Sequence, residues 1–160
     1  MSEAKETKQE VKQEVNQEAI SQDIISMFDT IISKGELHQD FQIADNLTLT
    51  LKVLNTGELL AAEAEATTNH PYFPMDIVNR GRIVSILTRA TVAINGVDVT
   101  QSNLSKQENE ARRNTLYRKI MQLPPEIVEK AHKDYMELQS KQVEALSKPI
   151  DELLEDVKSF

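Results

Sequence analysis

The sequence predicts an α+β fold, mostly helical, with a small β-hairpin packed on helices, a helical N-terminal arm and a helical C-terminal extension. Three observations carry that class. Residues 47–53 alternate apolar and polar side chains, as a half-buried strand does, whereas most of the remaining apolar residues recur at helical spacing. The chain has no Trp and seven Phe and Tyr together, so its core is built from Leu, Ile, Val and Ala, which suits helices better than a β-sandwich. Its 160 residues and 39% hydrophobic content match one modest core with appended segments.

Residues 1–19 contain Lys8-Gln9-Glu10-Val11, Lys12-Gln13-Glu14-Val15 and Asn16-Gln17-Glu18-Ala19, a period of four that favours helix yet buries little. They read as a charged, flexible tail. Within residues 20–36, Ile20, Ile24, Met27, Phe28, Ile31 and Ile32 form an amphipathic stripe that stops at Gly35, a C-terminal cap. Such an arm needs a groove, on its own core, on a partner or on a second copy of the chain.

The α+β core is expected over residues 37–104. Asp40 to Ile43 turns through Ala44-Asp45-Asn46 into the strand at 47–53, and helices must cover the apolar face of that hairpin. Asn55-Thr56-Gly57-Glu58 has the layout of a helix start, and the helix that follows carries Leu59, Leu60, Ala62 and Ala66. Pro71 and Pro74 bound a loop holding Tyr72 and Phe73. Ile83, Ile86, Leu87, Ala90 and Ile94 then mark an amphipathic helix, with Arg80, Arg82 and Arg89 between them, that runs to a stop at Asn95-Gly96. Val97 and Val99 can add a third short strand after that turn. A competing reading makes residues 93–99 themselves a type I′ hairpin, which the Asn-Gly pair alone would support. The helix-then-turn reading is preferred because the stripe keeps its spacing to Ile94.

Residues 105–160 read as a helical extension. Ser105-Lys106-Gln107-Glu108 is a capping box, and Leu116, Ile120 and Leu123 follow before Pro124-Pro125 ends that helix. Pro125 starts the next, with Ile127, Val128, Ala131, Tyr135, Leu138, Val143, Ala145 and Leu146 along it. Lys148-Pro149 marks a bend, after which Ile150, Leu153, Leu154 and Val157 make a last amphipathic turn or two.

Over residues 47–108, the series "LTLKVLNTGELLAAEAEA", "RIVSILTRATVAINGVDV" and "LSKQE" resembles the short tail assembly chaperones of tailed bacteriophages, including the baseplate-hub assembly proteins of large contractile phages. The resemblance implies a non-enzymatic role in virion morphogenesis, in the host cell cytoplasm. Such a protein holds hydrophobic helical segments of a tape measure or baseplate-hub protein until the tail polymerises around them. Helix-in-groove recognition needs exchangeable apolar faces, so the partner-binding candidates are Ile24, Phe28 and Ile31 of the arm and Leu116, Ile120, Leu153 and Leu154 of the extension. A tail or baseplate subunit retained in the virion would have the same pattern. An acidic regulatory binding module is the third class.

Chemistry-bearing residues are sparse. His38, His70 and His132 stand in different segments without a second ligand at helical spacing, so no metal is expected, and no catalytic residue or cofactor site is assigned. Asp151, Glu152, Glu155 and Asp156 fit a solvated helix face. The absence of Cys excludes disulfides and thiol chemistry. A net charge of −8 opposes general nucleic-acid binding, although Arg80, Arg82 and Arg89 with Arg112, Arg113, Arg118 and Lys119 offer local positive charge. No apolar run approaches the length of a membrane span, and the N-terminus is charged from Glu3 onward with no apolar stretch behind it, so no secretory leader is expected. A protein partner is therefore expected, with homo-oligomerisation open and no membrane.

Overall fold

A computed structural model describes residues 36–158 except position 70, and their side chains as far as position 147. The tail, the arm with Ile24, Phe28 and Ile31, and His70 lie outside the described residues, as do the side chains of Leu153 and Leu154. The chain divides into two compact units; His38–Gln139 is one, and the other includes Ser140–Phe160. Residues 106–139 thus belong with the sheet, whereas the sequence reading placed the whole of 105–160 in an appended extension.

The fold is α+β and mostly helical, as expected, with four helices and a four-stranded antiparallel sheet among the described residues. β1 (His38–Ala44) and β2 (Leu47–Lys52) form the expected hairpin, with Phe41 opposite Leu49 and a register shift between Gln42 and Ala44. Phe41, Ile43, Leu49 and Leu51 are buried. Burial of a side chain such as Leu51 stabilises the fold by roughly 1.5–3 kcal/mol.

Asn55 starts α1 (Thr56–Asn69) reciprocally: its Oδ1 accepts the Glu58 N–H at 2.9 Å, and a Glu58 oxygen accepts the Asn55 N–H at 3.1 Å. The other Glu58 oxygen takes Lys52 Nζ at 2.8 Å, tying the strand to the helix that follows it. Of the apolar residues expected inside α1, Ala62 and Ala66 are buried while Leu60 is exposed. Small residues at the contact let α1 approach α2 (Met75–Ala90), and Glu63 and Glu65 reach Arg82 and Arg89 of α2 at 2.7 and 3.5 Å.

α2 is the central helix, with Val84, Ser85, Ile86, Leu87, Thr88 and Ala90 all buried. It ends at Ala90, four residues earlier than expected. β3 (Thr91–Ile94) follows with no connecting residue and pairs antiparallel with β2, and β4 (Val97–Asp98) returns beside it, giving the order β1-β2-β3-β4. Asn95 (φ 48°) and Gly96 (φ 77°) form the two-residue turn of a type I′ hairpin. The preferred reading of a helix reaching Ile94 is therefore corrected. Spacing that continues to Ile94 is compatible with either period, whereas the run Thr91-Val92-Ala93-Ile94 is rich in β-branched residues and completes the exposed edge of β2. Asn95 is held by both strands' neighbours: its Oδ1 accepts the Thr48 N–H at 2.8 Å, and its Nδ2 donates to the Asn46 carbonyl at 3.1 Å.

α3 (Lys106–Met121) opens on the expected capping box, Ser105 Oγ accepting the Glu108 N–H at 3.2 Å while Glu108 accepts the Ser105 N–H at 2.8 Å. That backbone bond, then the Ser105 side chain, holds the Glu108 carboxyl below its ordinary pKa. α4 (Pro125–Lys158) begins at Pro125 as expected and then runs without a break through Pro149, correcting the separate last helix. One missing backbone donor is tolerated inside so long a helix. In the described unit α4 buries Val128, Ala131, Tyr135 and Leu138, and Lys130 Nζ donates to the Gln42 and Ile43 carbonyls at 2.6 and 3.2 Å, beside the β1 irregularity.

Candidate partner-binding surface

Where α3 meets α4, the chain turns through Gln122-Leu123-Pro124, and Pro124 cannot extend α3. That corner and the first half of α2 leave an open cleft of about 550 Å³. Its apolar wall comes from Ile83 and Val84 of α2, Ile120 of α3, Leu123 and Pro125 of the corner, and Val128 of α4. Asp76, Asn79, Arg80, Met121 and Glu129 supply the rest of the lining, so it mixes apolar area with charges of both signs.

The segment leading into α2 is unusually rich in exposed apolar side chains. Tyr72 is 97% exposed and Met75 72%, and Phe73 and Ile77 are exposed as well. Asp76, which lines the cleft, stands between Met75 and Ile77 in the chain. Met121 lines the cleft and is itself 44% exposed. Adjacent exposed apolar side chains of this size, beside a cleft, are the pattern of a protein-binding surface.

Two of the seven candidates from the sequence are placed by side chain, and both are buried: Leu116 is 6% exposed and Ile120 4%. They face different cavities. Ile120 lines the cleft just described, and Leu116 lines a second groove of about 370 Å³ between α3 and β4, with Ile94, Val97, Val99 and Ala111. Residues of this kind support a surface from beneath. Met121, the exposed apolar lining residue, and Tyr72, Phe73, Met75 and Ile77, exposed in the chain next to the lining residue Asp76, are not selected by helical periodicity, because exposed residues depart from the buried stripe. The Tyr-Phe pair between two prolines was the one visible signal.

A third cavity, about 710 Å³, opens at the other end of α2 and α3. Its lining residues are mostly polar: Arg89 and Thr88 from α2, Glu65 from α1, residues 100–102 of the loop after β4, and Lys106, Asn109, Glu110, Arg113 and Asn114 from α3. Leu104 and the side-chain stems leave its surface about evenly polar and apolar.

Of the histidines, His132 is half-buried with its ring stacked on Tyr135, centroids 6.4 Å apart and planes 20° from parallel. Burial, then the nearby Arg82 charge, holds its pKa below the ordinary value. Burial pushes the Tyr135 hydroxyl pKa up; the Leu54 backbone opposes that shift, although the contact falls short of ordinary hydrogen-bond geometry and the hydroxyl has no partner meeting it. No group of three His, Asp or Glu side chains among the described residues is arranged to hold a metal ion.

No protein-family model, curated protein or solved structure matches this chain.

Proposed function

We propose that this chain is a non-enzymatic assembly protein of a bacteriophage tail or baseplate. It binds apolar helical segments of a tape measure or hub protein in the host cytoplasm. The observation that carries this reading is the cleft at the α3–α4 corner, open and apolar-walled, with Tyr72, Phe73, Met75, Ile77 and Met121 left exposed around its lining segments. An amphipathic helix laid across it would cover surface that the described unit leaves in water, which is the physical requirement of helix-in-groove binding. The resemblance of residues 47–108 to tail assembly chaperones supplies the biological setting. Among the described residues, no helix is long and apolar enough to cross a membrane.

The test is mass spectrometry of what co-purifies with the tagged full chain from infected-cell lysate, together with its abundance in finished particles. Enrichment of a long helical tail protein, with absence from particles, supports the chaperone. Stoichiometric presence in particles makes it a structural subunit, and a lysate with no tail protein enriched overturns the assembly role. Met121 is exposed, so Met121→Glu should leave thermal unfolding near wild type while weakening capture about tenfold or more, as loss of a central apolar contact does.

A further inference from the structure

The polar cavity at the α2–α3 end has a composition that the apolar cleft does not explain. Three cations line it, Arg89, Lys106 and Arg113, against two carboxylates, Glu65 and Glu110. Glu65 is engaged with Arg89, at 3.5 Å. Lys106 and Arg113 are exposed and make no ion pair among the described residues. In a chain of net charge −8, this is a local excess of one positive charge, with Glu110 one helical turn from Lys106 and Arg113 but paired with neither.

The wall is fixed before any ligand arrives. Asn109 Oδ1 accepts the Gln101 N–H at 3.1 Å and Asn109 Nδ2 donates to the Gln101 carbonyl at 3.0 Å, clamping the loop to α3. Upstream, the Val99 N–H donates to Val92 at 2.8 Å and Arg112 Nη1 donates to the Val99 carbonyl at 3.3 Å. A loop tied at both ends loses little freedom on binding.

We propose that this cavity binds a carboxylate-bearing peptide segment of a partner protein. The mixed lining selects the ligand class. Two carboxylates in the wall oppose a multiply charged polyphosphate, whereas a peptide offers a carboxylate to Lys106 and Arg113 and, unlike a phosphodiester backbone, amide N–H and C=O groups to Thr100, Ser102 and Asn114. Its volume falls inside the range of about 300–1,000 Å³ typical of ligand sites. Lys106, Glu110 and Arg113 lie on one stripe of α3, spaced by single helical turns. This inference does not depend on the apolar cleft or on the phage setting.

The test is fluorescence anisotropy of a fluorescein-labelled peptide of alternating Glu and Ser, titrated with the full chain at low ionic strength. Saturable binding is expected, weakened about tenfold or more in K106E/R113E and unchanged in K133E, an exposed α4 charge outside the cavity. Should the double variant unfold, each single reversal carries the same comparison with a smaller loss. Absence of saturable binding, equal affinity in K106E/R113E, an equal loss in K133E, or tighter binding of a single-stranded oligonucleotide of matched charge would each overturn the proposal.

Discussion

At the scale of single residues, Gly96 and His132 make separable predictions. Gly96 sits at φ 77°, and a Cβ built there meets no atom within 4 Å, so a side chain would be penalised only through the backbone. Gly96→Ala is expected to cost about 1–2 kcal/mol, the ordinary strain of an L-residue in the left-handed region, measured by urea unfolding. His132 binds its proton less readily folded than unfolded, because burial and Arg82 both disfavour the imidazolium. Its contribution is therefore complete above the ordinary value of 6.5 and is lost as pH falls through the lower folded pKa. Thermal stability should drop across that acidic window, and His132→Gln should flatten the drop; an unchanged profile would place the acid sensitivity elsewhere.

Elements differ in how openly the sequence declares them. The β1–β2 hairpin, the Asn55 start, the Ser105 capping box and the Pro125 helix start were legible because each rests on a local rule whose partners lie within a few residues. Asn55→Ala should accordingly destabilise α1 by about 1 kcal/mol in chemical denaturation, with no change in the sheet's spectroscopic signature. The end of α2 was misread because Ile94 satisfies helical spacing, while what makes 91–94 a strand is β2, some forty residues earlier. Asn95 shows the same dependence: its hydrogen bonds go to Asn46 and Thr48, partners that no local pattern reveals. The candidate site was legible only in part. Apolar periodicity found Leu116 and Ile120, which support two cavities from below, and missed Met75 and Met121, whose exposure depends on where other helices stop. The polar cavity combines α1, α2, a loop and α3; the sequence marks Arg89 and Arg113 as local positive charge but does not show that they share one cavity.

For the molecule as a whole, the direct passage from Ala90 to Thr91 makes its tolerance of added length uneven. Thr91 Oγ1 donates to the Leu87 carbonyl at 2.7 Å while the same residue pairs with Leu51, so the last turn of α2 and the first rung of β3 share a residue. One residue inserted there would reverse which side chains of β3 face inward, exchanging buried Thr91 and Ala93 for Val92 and Ile94. The exposed residues 71–74 carry no such constraint. A short Gly-Ser insertion at 71–74 should leave the unfolding temperature nearly unchanged, whereas the same insertion between 90 and 91 should abolish cooperative unfolding. The first position is thus where an affinity handle, a fluorophore site or a split point can be introduced, at the margin of the proposed contact surface, and where natural length variation in this protein is expected to accumulate.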